Sequence, residues 1–329
     1  MKKEEIKEAI DLIVAEIKKA KRIVVVSHVG PEADAVGSLL GMTLSLREMG
    51  KEVVPYLEDP VPALCKFLPG SETITHSFEG VEAVDLTIAV DCGQLERLGK
   101  GLVAFEGKGT VLNLDHHRTN DYFGKVNLVL PDASAAGEIV YDVLKAGNLP
   151  ITKDVAVNLF SAMHTDTGSF RYASASADAF RKAGELVAYG VEPELVSQNF
   201  YENLPLVRVK MLAKVLATLE VLEDGKLAIL HITQEMLDSE GATRDVVDGF
   251  VDYARSINGV EVGVLIRQAI SDGDEDLFKV SFRSKGRVDV SKISESFGGG
   301  GHSAAAGCVL EGTLKEVRDI VVKAVNGAL

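Results

Sequence analysis

Three apolar runs in this chain stop abruptly at acids or imidazoles, and no other feature of the sequence restricts the fold as strongly. Ile23-Val24-Val25-Val26-Ser27 runs into His28, Leu86-Thr87-Ile88-Ala89-Val90 into Asp91, and Gly109-Thr110-Val111-Leu112-Asn113-Leu114 into Asp115-His116-His117. A further acid, Asp166, stands in His164-Thr165-Asp166-Thr167-Gly168. Runs that are apolar throughout, without alternation, read as strands buried on both faces, the signature of a parallel sheet. A charge at the end of a buried strand is costly to desolvate unless something compensates it. When several such charges meet at one sheet edge, bound cations are the most economical compensation.

The rest of the chain fits around these runs. Residues 4–20 read as a helix with Ile6, Ile10, Ile13, Val14 and Ile17 on one stripe. Strands near 22–27, 52–57, 85–90 and 110–114 alternate with helices near 35–49, 135–146 (with Ser134 as N-cap) and 154–163. The expected class is α/β: a doubly wound, mainly parallel N-terminal sheet followed by a smaller α+β domain. The chain has 329 residues, more than one ordinary core holds, so two domains are expected. They are placed at 1–190 and 211–329, joined by a partly helical connection over 191–210 that holds Pro193 and Pro205. Around and within the second domain the pattern predicts a helix over 206–217, a hairpin over 219–232 and a helix over 243–257. Long strands over 260–270 and 277–284 follow, then a helix over 290–297, a glycine run, a strand and a final helix.

Composition excludes some functions. The net charge of −14 argues against tracking long duplex nucleic acid, which calls for a basic face. It leaves room for a short anionic ligand at a cleft where local cations reverse the field. No apolar run approaches the ~18 residues of a membrane span, and the opening Met1-Lys2-Lys3-Glu4-Glu5-Ile6 is amphipathic, unlike a signal peptide. Cys65, Cys92 and Cys308 lie far apart without a CxxC pair, which points to a reducing cytoplasm and no structural zinc.

The segment from His28 to Ser38 leaves a strand, turns through Gly30-Pro31 and enters a helix, carrying His28, Glu32 and Asp34 within one tight turn. Carboxylates with some imidazole suit Mn²⁺ or Mg²⁺ better than a thiolate zinc site. Each fragment alone has a plainer reading: the first as a turn, Asp91 as a helix cap, Asp166-Thr167-Gly168 as another turn. Asp115-His116-His117 resists such a reading, because two imidazoles and a carboxylate there have little structural purpose. The glycine run 298–301 reads equally as a flexible turn or as backbone able to approach a phosphate, with His302 at its end favouring the second. Arg283 reads as a solvated strand end or as a bidentate phosphate grip, and Arg287 is a secondary candidate.

Taken together, these residues resemble the DHH/DHHA1 phosphoesterases over nearly the full chain, in the branch of oligoribonucleases (nanoRNases) and pAp phosphatases. The motifs are 28–38, Asp91, Asp115-His116-His117 and Asp166, with Phe297-Gly298-Gly299-Gly300-Gly301-His302 and Ala304-Ala305-Ala306-Gly307 as the DHHA1 signature. The resemblance implies two Mn²⁺ ions, with Mg²⁺ as the alternative, bridged by Asp91. His28, Glu32 and Asp91 would hold one ion; Asp34, Asp91, His116 and Asp166 would hold the other. Asp115 would orient a ligand imidazole, and His117 would face the substrate phosphate as the catalytic imidazole. The family usually carries aspartate where Glu32 stands, so its extra methylene shifts one carboxylate. Arg283, Gly300, Gly301 and His302 would contact phosphate or base.

The implied reaction is hydrolysis of short RNA oligonucleotides, including linear dinucleotides such as pApA, to mononucleotides, and of pAp to AMP, by two-metal activation of a bridging water. Among the alternatives are a cyclic-di-AMP phosphodiesterase, a family-II-like inorganic pyrophosphatase and a nucleotide-sensing module without turnover. The glycine-histidine signature argues against the pyrophosphatase. A RecJ-like exonuclease would need a basic groove and further modules. A homodimer through the first domain is compatible with the sequence, though no residue identifies it, and no membrane partner is expected.

Overall fold

The three apolar runs form neighbouring strands of one parallel sheet, as the α/β reading requires. The computed structural model describes residues 2–271 and 274–329. They divide into two compact units, Met1–Asn203 and Leu204–Leu329. In the first, the order is α1 (Lys3–Lys19), β1 (Arg22–Val26), α2 (Ala33–Glu48), β2 (Glu52–Tyr56), β3 (Leu86–Val90), α3 (Lys100–Ala104), β4 (Thr110–Asp115) and β5 (Val126–Val129). Helices α4 (Ala136–Gly147), α5 (Lys153–Asp166), α6 (Ala177–Ala188) and α7 (Pro193–Tyr201) complete it.

The sheet order is β2-β1-β3-β4-β5, every pair parallel. Along β1 the residues alternate between two cores: Ile23 and Val25 pack into one, Val24 and Val26 into the other. Both faces are therefore covered, which explains the unbroken apolar runs. Strand β5 was not anticipated; four residues with a central asparagine carry too weak a pattern, and pairing with β4 decides the matter. Helix α7 opens with Pro193 at its first position, where the missing N–H costs nothing.

Helix α4 corrects the expected N-cap. Its N-cap is Ala135, not Ser134. The Ser134 hydroxyl and N–H both donate to Glu138 instead, and the leading N–H groups of α4 are taken by the Asp34 carboxylate. Close helix packing makes that reach possible. A Cβ on Gly37 would lie 2.5 Å from the Asn158 carbonyl, one on Gly41 2.5 Å from Leu159, and one on Gly137 2.5 Å from Ala162. Glycine at these positions lets α2 and α4 settle against α5.

The second unit contains α8 (Leu206–Leu216), β6 (Glu220–Leu222), β7 (Leu227–Ile232), α9 (Gln234–Glu240), α10 (Val251–Ser256), β8 (Val262–Ser271) and β9 (Asp274–Ser284). It continues with α11 (Val290–Glu295), β10 (Gly300–His302), β11 (Ala305–Glu311) and α12 (Leu314–Asn326). Its mixed sheet runs β10-β11-β9-β8-β7-β6. The helix expected over 243–257 is instead a 3₁₀ turn at Arg244–Val247 and the short α10, because Gly249 at φ +81° interrupts the α conformation. Part of the glycine run is itself an edge strand, β10, antiparallel to β11. A Cβ on Gly301 would meet the Ala305 carbonyl at 2.5 Å. Among the described residues no helix is long and apolar enough to cross a membrane.

Gly37→Ala tests the helix packing. Overpacking against a backbone carbonyl costs about 1–3 kcal/mol, which outweighs the gain of up to ~1 kcal/mol in helix propensity. Thermal denaturation should show a midpoint lowered by a few degrees.

Candidate metal centre

The strand order reverses between β1 and β3, each of which continues to opposite sides of the sheet. In open α/β sheets ligands bind beyond the carboxyl ends of strands at such a switch point. His28 lies just beyond β1, Asp91 just beyond β3, and Asp115-His116-His117 at the end of β4. Asp34 enters from the first turn of α2, and Asp166 is the last residue of α5.

Asp91 is the hub. It adopts φ +53°, a left-handed conformation unfavourable for a residue with a Cβ. Its N–H, bonded to the Leu114 carbonyl at 2.9 Å, holds it there. The side chain is 1% exposed, yet neither carboxylate oxygen has a hydrogen-bond partner. The nearest cationic nitrogens are His28 Nε2 at 3.5 Å from Oδ2 and His116 Nε2 at 3.4 Å from Oδ1. Burial would raise its pKa, but His116 and His28 override it and hold Asp91 well below the usual carboxylate range. A buried carboxylate flanked by imidazoles, with neither oxygen hydrogen-bonded, has the donor capacity to take a cation.

Three groups of donors surround it, each with ligand atoms within 4.8 Å of one another: His28, Glu32 and Asp91; Asp34, His116 and Asp166; and Asp91, His116 and His117. Glu32 Oε1 lies 3.1 Å from His28 Nε2, so the longer side chain does reach the cluster. His116 Nε2 stands 3.7 Å from Asp34 and 3.8 Å from Asp166. The other nitrogens are tied to backbone: His28 Nδ1 to the Val29 carbonyl at 2.9 Å, His116 Nδ1 to that of Ala133 at 3.3 Å. A donor at Nδ1 presents Nε2 to the acids, the arrangement a ligating histidine requires.

Asp115 is fully buried. It accepts from His117 Nδ1 at 2.7 Å and from Asn120 Nδ2 at 2.6 Å, so the imidazole it orients is that of His117, while His116 is oriented by Ala133. Asn120 also donates to Asn113 Oδ1 at 2.7 Å, and Asn113 donates to the Cys92 carbonyl at 2.9 Å. Sequence reasoning missed both asparagines. Asn113 was visible as the one polar side chain amid Val111, Leu112 and Leu114; Asn120 left no such signal.

The acid-rich cluster reshapes its imidazoles. Burial would lower the pKa of His28 and His116, but the Asp91 carboxylate beside both, and Glu32 beside His28, push them up to about 11. Burial raises Asp166 to about 6 and Asp34 well above the carboxylate range, the latter helped by Asp91. This donor set of imidazoles and carboxylates fits hard to borderline divalent cations.

In the second unit, register places Arg283, Ala305 and His302 in one row across β9, β11 and β10. Residues directly opposite on adjacent strands share a face, so Arg283 and His302 flank the small Ala305. Arg283 Nε lies 3.9 Å from Asp252, and Nη1 donates to the Phe282 carbonyl at 3.0 Å. Gly300 has open space where a Cβ would stand. Arg287 enters the same unit's structure through its N–H, which donates to Glu261 at 2.7 Å.

Residues 22–163 match the DHH family, N-terminal domain, and residues 224–329 match the DHHA1 domain. The bifunctional oligoribonuclease and PAP phosphatase NrnA of Thermus thermophilus is 33% identical over 320 residues, 96% of this chain and 94% of the relative. The crystal structure of an exopolyphosphatase-related protein from Bacteroides fragilis aligns with a TM-score of 0.89 at 25% identity, covering 97% of this chain and 96% of that one. RecJ of Thermus thermophilus in complex with Mn²⁺ shares the fold at 17% identity and a TM-score of 0.55, over 98% of this chain and 54% of RecJ. Strand-end acids and imidazoles, both domain matches in order and a near full-length relative at one-third identity lead to one conclusion: the chain belongs to the DHH family, with a DHHA1 domain in its second unit.

Proposed function

We propose that this DHH-family chain is a divalent-metal-dependent phosphoesterase. Its substrates would be short oligoribonucleotides, linear dinucleotides such as pApA included, and pAp, which it would convert to AMP. The observation that carries this reading is Asp91: buried, strained and unpartnered at the sheet's switch point, with two donor groups sharing it. The activity named for the Thermus relative supplies the substrate class.

His28, Glu32 and Asp91 would hold one cation, and Asp34, Asp91, His116 and Asp166 the other. Mn²⁺ is the favoured ion, as in the RecJ complex, with Mg²⁺ chemically compatible. When bound, such ions would lend Lewis-acid charge to the scissile phosphate and acidify water at neutral pH. The chain's own residues do the rest. His117 donates Nδ1–H to Asp115, which favours its protonated form despite burial, and the imidazole would pass a proton to the departing ribose oxygen. Asn120 and Asn113 lock Asp115, so the imidazole does not swing. In the second unit, Arg283 and the Gly300–His302 strand would contact a phosphate or base.

The DHHA1 match over residues 224–329 favours this reading over an inorganic pyrophosphatase, and the full complement of ligand-type residues favours turnover over sensing. The deciding experiment is a side-by-side Mn²⁺ assay with pApA, longer RNA, pAp, cyclic-di-AMP and pyrophosphate. Turnover of pApA and pAp is expected; hydrolysis of pyrophosphate alone would overturn the proposal.

Metal loading should release protons. In the metal-free site both imidazoles titrate at about 11, above the ordinary 6.5, so at neutral pH both carry the extra proton. Their contribution to metal-free stability is complete below pH 6.5 and disappears as the pH rises towards 11. A cation must displace these protons, so apparent Mn²⁺ affinity should rise steadily with pH across the neutral range. Calorimetry in buffers of different ionisation enthalpy measures the release. Asp91→Asn should abolish Mn²⁺ retention and reduce kcat by about 100-fold or more. Arg283→Ala should raise KM for pApA by about 10-fold with Mn²⁺ content unchanged; loss of the metal in that variant would refute its role.

A further inference from the structure

Glu138 and Lys182 form an ion pair in the interior of the first unit, each residue 5% exposed. Lys182 Nζ lies 2.8 Å from Glu138 Oε1 and 2.6 Å from Asp142 Oδ2. Neither Glu138 nor Lys182 has a bond to any of the proposed metal-holding side chains. Taking both charges out of water is expensive, and an apolar pair of similar volume is often as stable. The hydrogen bonds show where the pair acts. Glu138 Oε2 accepts from the Ser134 N–H at 2.8 Å and from its hydroxyl at 2.6 Å, with Ser134 fully buried. Ser134 belongs to the turn 133–137. In that turn the Ala133 carbonyl accepts from His116 Nδ1 at 3.3 Å, the Ala136 N–H donates to Asp34 Oδ2 at 2.7 Å, and the Gly137 N–H donates to Asp34 Oδ1 at 3.0 Å.

We infer that the Glu138–Lys182 pair is a positioning device for one half of the metal centre. It fixes the turn 133–137, and the turn's backbone aims His116 and Asp34. The inference rests on the reading of Asp34 and His116 as metal-holding residues. Its reach is selective. Asp34 and His116 group with Asp166, whereas His28 and Glu32 group with Asp91 and receive no hydrogen bond from the turn. Lys182 and Glu138 are therefore positioning residues for one ion and not for the other.

The test compares two double variants of the full chain that both remove the buried charges. Glu138→Leu with Lys182→Met deletes the acceptor for Ser134; Glu138→Gln with Lys182→Met retains one. Electron paramagnetic resonance of free Mn²⁺, titrated against metal-free protein, reads each binding equivalent separately. The leucine variant should weaken one equivalent by about 10-fold or more and leave the other close to wild type. The glutamine variant should recover most of the loss. A fall in both equivalents together, which general loosening of the fold would produce, overturns the inference. Leucine and glutamine variants that bind alike overturn it too. Asp34→Asn is the reference and should lose one equivalent. If it keeps both, the reading of the centre fails and the positioning role fails with it. If Asp34→Asn loses its ion while the leucine variant binds as wild type, only the positioning role fails. Should the leucine variant not melt cooperatively, Ser134→Ala replaces it: it deletes one of the two bonds and should weaken the same equivalent, and unaltered binding there refutes the claim.

Discussion

The buried Asp91 carboxylate is the constraint on which the site depends. It sits between two imidazoles at the point where the sheet order reverses, in a backbone conformation that L-residues avoid, with neither oxygen hydrogen-bonded. A structure keeps such a residue only when its surroundings over-determine it. Here the determinants are the bond to Leu114 in the neighbouring strand and the imidazoles of His28 and His116, themselves held by backbone carbonyls. The site is thus assembled mainly by main-chain geometry. Side chains on three consecutive strands of the sheet converge because parallel strands all present the same end.

Around that hub the protein separates two kinds of support. Asp115, Asn113 and Asn120 form a closed polar network that fixes His117. The turn 133–137, backed by Glu138, fixes Asp34 and His116. Each network satisfies its buried members, as a low-dielectric interior demands. Helix packing makes the second possible, since a side chain at Gly37 or Gly137 would force α2 or α4 away from α5 and take Asp34 out of reach of the α4 amides.

The acidity of the chain belongs to the same logic. A net charge of −14 does not preclude binding a phosphate ester when the acids nearest the reaction are neutralised by cations. In the second unit, recognition would depend on backbone exposed at Gly300 and on a single guanidinium, Arg283, rather than on a basic surface. That economy suits a short ligand with few phosphates.

Much of this was legible in the primary structure. Unbroken apolar runs marked β1, β3 and β4, and the residues that end them marked the acids and imidazoles that gather around Asp91, because period and burial are local properties of a strand. The seven-residue segment from His28 to Asp34 brought three donors close together without long-range information. Other features were decided by tertiary contacts alone. Strand β5 exists because β4 offers it an edge, the break before α10 because Gly249 turns left-handed, and the cap of α4 because Asp34 reaches it from a helix 102 residues earlier. The partner of Asp115, the asparagines that lock it and the ion pair behind the turn are all meetings of residues distant in sequence. Local pattern names the residues able to do chemistry; only the packed chain determines which of them face one another.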